Sequence, residues 1–168
     1  GTPIMYWPTY EGKAGRIPLR RVRLGGSNQE GVALETRWDL FTLLGKDEPA
    51  GVSADLNIDG YSKRGVGVGL DFEYNVNKHI GNLDLYLLSD SGTEKTSSGR
   101  EISVDTSERG YALWKNSIRP TENWLLQLQA SYISDDAFMS SWRRQEYRTE
   151  LEYETSFYAK YQEDTSAF

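Results

Sequence analysis

The sequence predicts an all-β fold, an antiparallel meander of long strands, within 168 residues, about the size of one domain. Apolar and polar residues alternate with a period of two in several stretches, as expected for strands with two unlike faces. The clearest stretch is RGVGVGLDFEYNV at 64–76, where apolar residues from Val66 to Val76 alternate with glycine and polar residues. Pieces rich in glycine, proline and polar residues separate the stretches, and no long amphipathic helix is visible.

Seven strands are predicted along the chain, and a shorter one precedes them at Ile4–Tyr10. Clean alternation marks five of the seven, at 32–42, 52–61, 64–76, 124–132 and 151–159. Less regular alternation marks the other two, at 81–89 and 109–118. Turn-rich pieces connect the strands at 45–51, 62–65, 75–82 and 119–123. We also expect a long polar loop at 89–110 and one helical turn within 135–147.

Composition excludes several classes of protein. The net charge of -6 argues against a nucleic-acid partner, which requires a basic surface. One basic cluster could meet phosphates or flank a strand edge; it comprises Arg16, Arg20, Arg21 and Arg23. Because the chain has no cysteine, disulfides and thiolate metal sites are ruled out. The chain begins at Gly1 without a visible signal peptide, so we expect a fragment or a processed piece.

Two environments would suit strands of this kind. A soluble β-sandwich strand also alternates, with one face in the core and the other in water. Part of an outer-membrane β-barrel is favoured because the predicted strands are about 10–13 residues long, against about 5–6 in most globular sheets. Trp124 and Tyr132 also lie at the ends of an apolar face, where such barrels carry aromatic girdles. No run approaches the roughly 20 apolar residues of a membrane helix, so helical spans are excluded.

The barrel interpretation assigns the two faces of the strands to different surroundings. Side chains of the apolar face would contact lipid, and we predict this for Val66, Leu70, Phe72, Leu126 and Leu128. Side chains of the polar face would line a wet lumen, and we predict this for Glu35, Arg37, Asp39, Asp55, Asp59, Gly67, Gly69, Asp71 and Glu73. Glycines on that face would widen the interior, let the sheet coil, or permit a bend or a close approach of backbone.

No catalytic, metal or cofactor site is predicted, and we expect a protein that is not an enzyme. His79 is the only histidine and lies in the turn NKHIG, with no partners for a catalytic triad. Carboxylates that share one face could form a glycosidase pair or a calcium site; they are Asp55, Asp59, Asp71 and Glu73. A solvated polar face explains them better. GVGVG lacks the spacing of a dinucleotide-binding motif.

Three collinear motifs carry a family resemblance. The run GTPIMYWPTYEGKAGRIPLRRVRLGG contains a strand rich in proline and tyrosine and then a basic stretch that ends in glycine. It resembles the end of the periplasmic β-jellyroll in the LptD/OstA family of outer-membrane lipopolysaccharide-assembly proteins, where the chain passes into a large β-barrel. YSKRGVGVGLDFEY resembles a hairpin of that family, and ALWKNSIRPTENWLLQLQASYISDDAF resembles a later strand–turn–strand.

The resemblance implies a division of the chain at residue 26. Residues 1–26 would end the jellyroll and form the junction, and 27–168 would be the N-terminal strands of the barrel. The junction and gate region would contain Pro3, Tyr6, Pro8, Tyr10, Arg20, Arg21, Arg23, Gly25 and Gly26. Where the family often has prolines in its first two strands, this chain has the two glycines, which also weaken strand pairing.

The resemblance also implies a transport function in the outer membrane of a Gram-negative cell. Periplasmic lipopolysaccharide-bridge proteins would deliver lipopolysaccharide, which would enter the barrel and leave sideways between its first and last strands. An LptE-like lipoprotein would plug the lumen, and no cofactor would be needed. The alternative is a soluble β-sandwich that binds carbohydrate through its Trp and Tyr side chains.

Overall fold

The computed structural model describes residues 17–28, 30–91, 93–95, 101–103, 108–135, 138 and 154–163. These residues form ten strands and one short helix, in the order β1 Leu19–Ser27, β2 Gly31–Asp39, α1 Leu40–Leu43, β3 Val52–Tyr61, β4 Gly65–Val76, β5 His79–Asp90, β6 Thr93–Lys95, β7 Glu101–Ser103, β8 Glu108–Ile118, β9 Trp124–Ile133 and β10 Ser156–Tyr161. Eight of them form one antiparallel meander in the order β1-β2-β3-β4-β5-β8-β9-β10, and β6 pairs with β7 alone. The predicted all-β meander is therefore confirmed, and its sheet is open at β1 and β10.

The six strands predicted between residues 32 and 132 are confirmed, with shifts at their ends. β2 ends at Asp39 and not at residue 42, because the Asp39 side chain caps α1 by accepting a 3.0 Å hydrogen bond from the Thr42 amide. The turn predicted at 75–82 is shorter than expected, since β4 runs to Val76 and β5 begins at His79. Asn77 between them has a left-handed φ of 55°, a conformation that asparagine tolerates.

β1 was not predicted as a strand. The consecutive residues Arg20 and Arg21 interrupt the alternation of the sequence, and the structure absorbs the extra residue in an irregularity of register between Leu19 and Arg21. The loop predicted at 89–110 is partly strand, because β6 and β7 lie within it. β10 confirms the last part of the strand predicted at 151–159 and runs two residues beyond it, to Tyr161. Residues 154 and 155 are not strand, and 151–153 lie outside the described residues. The strand predicted at Ile4–Tyr10 lies outside the described residues, as does most of 135–147.

The connections between strands define two ends of the sheet. The turns β1–β2 and β3–β4 lie at the end where β9 leads to Phe138, which we call the Phe138 end. The other end, the α1 end, holds α1 and the turns β4–β5 and β8–β9. From Ser53, the second residue of β3 from the α1 end, a row of opposite residues runs through Glu73, Asn82 and Lys115 to Gln129, the sixth residue of β9 from that end. The row lies at the fourth residue from the α1 end on β4, β5 and β8, so it moves away from that end between β3 and β4 and again between β8 and β9, and never back.

The sheet curls so that distant strands share one interior. Ser53 on β3 and Tyr158 on β10 line the same cavity. A buried cluster near the Phe138 end draws on β2, β3, β5 and β8; it consists of Ala33, Tyr61, Tyr86, Leu88, Tyr111, Leu113 and Phe138. Among the described residues there is no helix long and apolar enough to cross a membrane.

Candidate functional site

The strand register separates two groups of predicted residues onto opposite faces. Asp39 lies opposite Asp55, and Asp55 lies opposite Asp71. We call their side the polar face; it also carries the other residues predicted for the lumen, Glu35, Arg37, Asp59, Gly67, Gly69 and Glu73. The other side, which we call the apolar face, carries all five residues predicted to contact lipid, Val66, Leu70, Phe72, Leu126 and Leu128.

The apolar face is open although it consists of large hydrophobic side chains. Val66 is 57% exposed, Leu87 is 70% exposed and Phe157 is 68% exposed. Further exposed side chains on this face are Val22, Leu24, Val32, Leu34, Ile58, Val68, Val76, Trp114, Trp124, Tyr132 and Tyr161. Soluble monomers rarely expose a contiguous apolar patch larger than a few hundred Å². The exposure of so many large apolar side chains on one face is therefore unusual for a soluble monomer.

Charged side chains of the polar face form ion pairs with one another. Near the α1 end, Arg20 Nη2 lies 2.7 Å from Asp39 Oδ2 and 3.2 Å from Glu48 Oε2, and its Nε lies 3.1 Å from Asp55 Oδ1. One step towards the middle of the sheet, Arg37 Nη2 lies 3.0 Å from Asp71 Oδ2. Asp39, Asp55 and Asp71, three of the acidic residues predicted for this face, are thus partnered by arginines from β1 and β2.

Two strand glycines of the polar face make room for a tyrosine. A Cβ atom added at Gly67 would overlap the Tyr86 hydroxyl, and one added at Gly69 would lie 2.8 Å from Tyr86 Cδ2. The ring of Tyr86 lies across both positions, and its hydroxyl donates a 2.9 Å hydrogen bond to Asp59 Oδ2. The group that approaches these glycines most closely is therefore a side chain, whereas the sequence analysis considered a close approach of backbone.

A buried network of ion pairs lies at the Phe138 end of the polar face. Asp90 Oδ2 lies 2.6 Å from Arg64 Nη2 and 3.1 Å from Arg109 Nη1, and all three side chains are almost fully buried. Arg109 also donates two hydrogen bonds to Asp135, of 2.9 Å from Nε and 2.6 Å from Nη2. Paired donation of this kind is the strongest common geometry between a guanidinium and a carboxylate.

Phe138 covers this network. Its side chain is fully buried, its ring centroid lies 5.4 Å from Arg109 Cζ, and it packs 6.2 Å from the Tyr111 ring centroid. Because Asp135 and Phe138 follow β9, the chain folds inward over the polar face as it leaves that strand. The hydrogen bonds from Arg109 hold the pKa of Asp135 below its ordinary value.

A cavity of about 1030 Å³ lies on the polar face, towards the α1 end. Its walls come from β3, β4, β5, β8, β9 and β10 and from the connection before β3. Most of the side chains that reach it are amides and hydroxyls, including Asn82, Ser117, Gln127 and Gln129. Lys115 is the one cation among the described residues that line it.

The predicted junction and gate residues divide into two groups. Pro3, Tyr6, Pro8 and Tyr10 lie outside the described residues. Arg20, Arg21, Arg23, Gly25 and Gly26 belong to β1, which pairs along its length with β2. The division predicted at residue 26 therefore falls within a strand of the sheet, and it stays a prediction. The described part of the chain contains no group of three or more metal-ligating side chains.

Sequence reasoning missed the network of Arg64, Asp90 and Arg109. Arg64 ends the turn before β4, and Asp90 is the last residue of β5. Arg109 lies in β8, beyond the long connection that follows β5, so no short-range spacing in the sequence joins the three residues. The register of β5 with β8 supplies the missing information, since Leu88 lies opposite Arg109. A prediction of that hairpin would have brought Arg109 next to Asp90.

No protein-family model matches this chain, and no curated protein sequence matches it at a significant level.

Proposed function

We propose that this chain forms N-terminal strands of an outer-membrane β-barrel that inserts lipopolysaccharide into the outer leaflet, without enzymatic activity. The observation that carries the proposal is the inverted distribution of polarity. Arg64 and Arg109 are each 1% exposed, while Leu87 on the apolar face is 70% exposed. A barrel in lipid has this arrangement, with apolar side chains outside and polar side chains inside.

The register of the sheet also supports a barrel. Closing a sheet into a barrel requires strands that tilt and a hydrogen-bonding register that steps in one direction. The row from Ser53 to Gln129 moves from the second to the sixth residue from the α1 end between β3 and β9, and never back towards that end. The sheet curls towards its polar face, as it would around a lumen, and further strands between β10 and β1 would close it.

A soluble sandwich accounts less well for the same faces. It would need a second sheet against the apolar face, and the described residues provide only the β6–β7 hairpin outside the main sheet. Its polar face would be the wetter one, whereas here Asn57, Asp59 and Asp90 are each less than a tenth exposed. Among the described residues, the exposed aromatic side chains that could stack on sugars in that alternative lie on the apolar face, with the exception of Tyr158.

The gate for lipid is proposed at the open edge formed by β1. Gly25 and Gly26 provide no side chain to pack there, and a Cβ atom at Gly26 would overlap the Gly31 carbonyl. Arg21 lies directly opposite Arg37, and like charges in that position weaken a strand pair. An edge of this kind would separate readily for a lipid that leaves sideways. An LptE-like lipoprotein in the lumen and the periplasmic bridge proteins complete the proposal.

Probe accessibility on the full-length protein in its native membrane tests the proposal. Single cysteines at Leu126 and Leu70 would carry a nitroxide spin label on the apolar face, and cysteines at their neighbours Gln127 and Asp71 are matched controls on the polar face. We expect membrane-dissolved oxygen to relax the labels at 70 and 126, and a water-soluble nickel complex to relax those at 71 and 127. Labels at 70 and 126 that neither reagent reaches would indicate a dry sandwich core and overturn the proposal.

The transport step needs a separate measurement. Depletion of the full-length protein from living cells should reduce the lipopolysaccharide that reaches the cell surface, as measured by labelling intact cells. Unchanged surface lipopolysaccharide in depleted cells would contradict the transport role, even if the barrel is confirmed.

A further inference from the structure

A row of four carboxylates crosses the sheet from the α1 end of β2 to the middle of β5. The register places Asp39, Asp55, Asp71 and Asp84 directly opposite one another on β2, β3, β4 and β5. Neighbouring strands lie about 4.8 Å apart, and like charges in opposite positions weaken a strand pair. The row therefore needs positive or hydrogen-bonding groups from other side chains.

Inner strands of the sheet supply such groups to the second half of the row. Arg37 of β2 has its Nη2 atom 3.0 Å from Asp71 Oδ2. The hydroxyl of Tyr111 on β8 lies 2.8 Å and 2.9 Å from the two carboxylate oxygens of Asp84, to which it donates. These two carboxylates thus have partners that do not belong to β1.

The first half of the row is served by β1. Arg20, the second residue of that strand, has Nη2 2.7 Å from Asp39 Oδ2 and Nε 3.1 Å from Asp55 Oδ1. The same guanidinium reaches Glu48 in the connection before β3, at 3.2 Å. The side chains of Asp39 and Asp55 are 12% and 14% exposed. Loss of Arg20 would leave these two poorly hydrated charges opposite one another, which is unfavourable.

The rest of β1 packs little against the sheet. Every residue from Arg20 to Ser27 is exposed. Arg23 Nη1 lies 3.3 Å from Glu35 Oε2, but both side chains are in contact with solvent, and exposed ion pairs contribute little to stability. Apart from the backbone pairing with β2, the Arg20 cluster is therefore the main attachment of this strand.

We propose that Arg20 is a clamp on an edge strand that can detach. With its guanidinium among the carboxylates, β1 is the edge of the sheet. When the guanidinium leaves them, β1 separates from β2, beginning at the α1 end because the β1–β2 turn holds the other end, and β2 becomes the edge. The sheet has two alternative edges, and one cluster of ion pairs selects between them. The inference goes beyond the proposed function, since it holds whether lipid or a second sheet covers the apolar face.

Residue-resolved hydrogen exchange of the purified full-length protein tests the inference. The Asp39 amide donates a 2.7 Å hydrogen bond to the Pro18 carbonyl just before β1, so its exchange reports on the attachment of that strand. We expect Arg20→Gln to exchange this amide at least about tenfold faster than the wild type. Arg23→Gln, which removes the exposed pair of the same strand, should stay within about twofold of the wild type. Equal rates in Arg20→Gln and the wild type overturn the inference.

A second amide and a second substitution distinguish the clamp from a general folding defect. The Asn75 amide donates to the Gly51 carbonyl at the same end of the sheet, and in Arg20→Gln it should keep its wild-type rate. Asp55→Asn removes one charge from the row, so in the Arg20→Gln background it should slow exchange at Asp39 again. With Arg20 present, the same substitution removes an ion pair and should not slow exchange. Faster exchange at both amides alike, or no rescue by Asp55→Asn, overturns the inference.

Discussion

Tyr86 occupies the space above Gly67 and Gly69, and it explains a pattern that the sequence leaves open. An alternation of glycine with valine is compatible with a bend, a coil or a wide interior. The partner that selects among these is about 20 residues away and on the next strand, so no local pattern contains it. The two-residue period alone assigns each residue to a face of the sheet. The contacts that a residue makes on the polar face follow from the register between strands, which the period does not show.

Substitution of Gly67 tests this packing. We expect Gly67→Ala to lower the free energy of unfolding by about 1–3 kcal/mol, because the new methyl group overlaps the Tyr86 hydroxyl. Gly60→Ala is the matched control, since a Cβ atom there meets nothing within 4 Å. Urea unfolding in detergent micelles would measure both. A loss of stability in Gly60→Ala as large as that in Gly67→Ala would refute the explanation.

Asp135 should contribute to a pH dependence of stability. Hydrogen bonds from Arg109 lower its pKa in the folded state below the ordinary value of 3.8. The stabilisation is therefore fully present above about pH 4 and is lost as the pH falls through the lower folded-state pKa. Asp135→Asn should be less stable than the wild type near neutral pH, and this difference should shrink at acid pH.

Thermal unfolding of both proteins at several pH values would measure the effect. Asp47→Asn is the control, because Asp47 is exposed in the connection between α1 and β3. Its difference from the wild type should be small at every pH. A difference for Asp135→Asn that stays constant down to the acid limit would show that the Arg109 pair is not the cause.

At the scale of elements, the inward segment after β9 depends on Phe138. We expect Phe138→Ala to release this segment from the polar face, since the buried ring contacts both Arg109 and Tyr111. Hydrogen exchange should then be faster at the Ser134 amide, which donates a 2.9 Å hydrogen bond to the Gly110 carbonyl. In Phe138→Leu, which retains an apolar side chain, this amide should exchange at an intermediate rate. Equal exchange in all three proteins would exclude Phe138 as the anchor.

Comparison of β3, β1 and α1 shows which elements can be predicted from the sequence and which cannot. β3 was predicted to its exact ends, because alternation and turn residues agree along its whole length. β1 was missed because the pair Arg20 and Arg21 breaks the alternation, and only the neighbouring strand shows that one residue is extra. α1 was missed because a four-residue helix has too few residues for a period, and its single signal is the cap at Asp39.

At the scale of the whole molecule, the open sheet predicts poor behaviour in water. The isolated chain exposes its apolar face and the edges of β1 and β10, and we expect it to aggregate in buffer. Detergent micelles should cover the apolar face, so that the chain is monomeric and its circular dichroism spectrum is that of a β-sheet. Light scattering and circular dichroism with and without detergent would measure this. A monomeric, fully folded chain in plain buffer would contradict the inverted polarity on which the proposed function depends.

The stepped register has a consequence for anything that moves over the polar face. The row through Ser53 starts one residue from the α1 end of its strand and reaches Gln129 in the middle of β9. A ligand that passes from side chain to side chain along this row, from β3 to β9, ends four residues farther from the α1 ends of the strands than it began. Movement across the sheet towards the open edge at β10 is therefore also movement away from the α1 end.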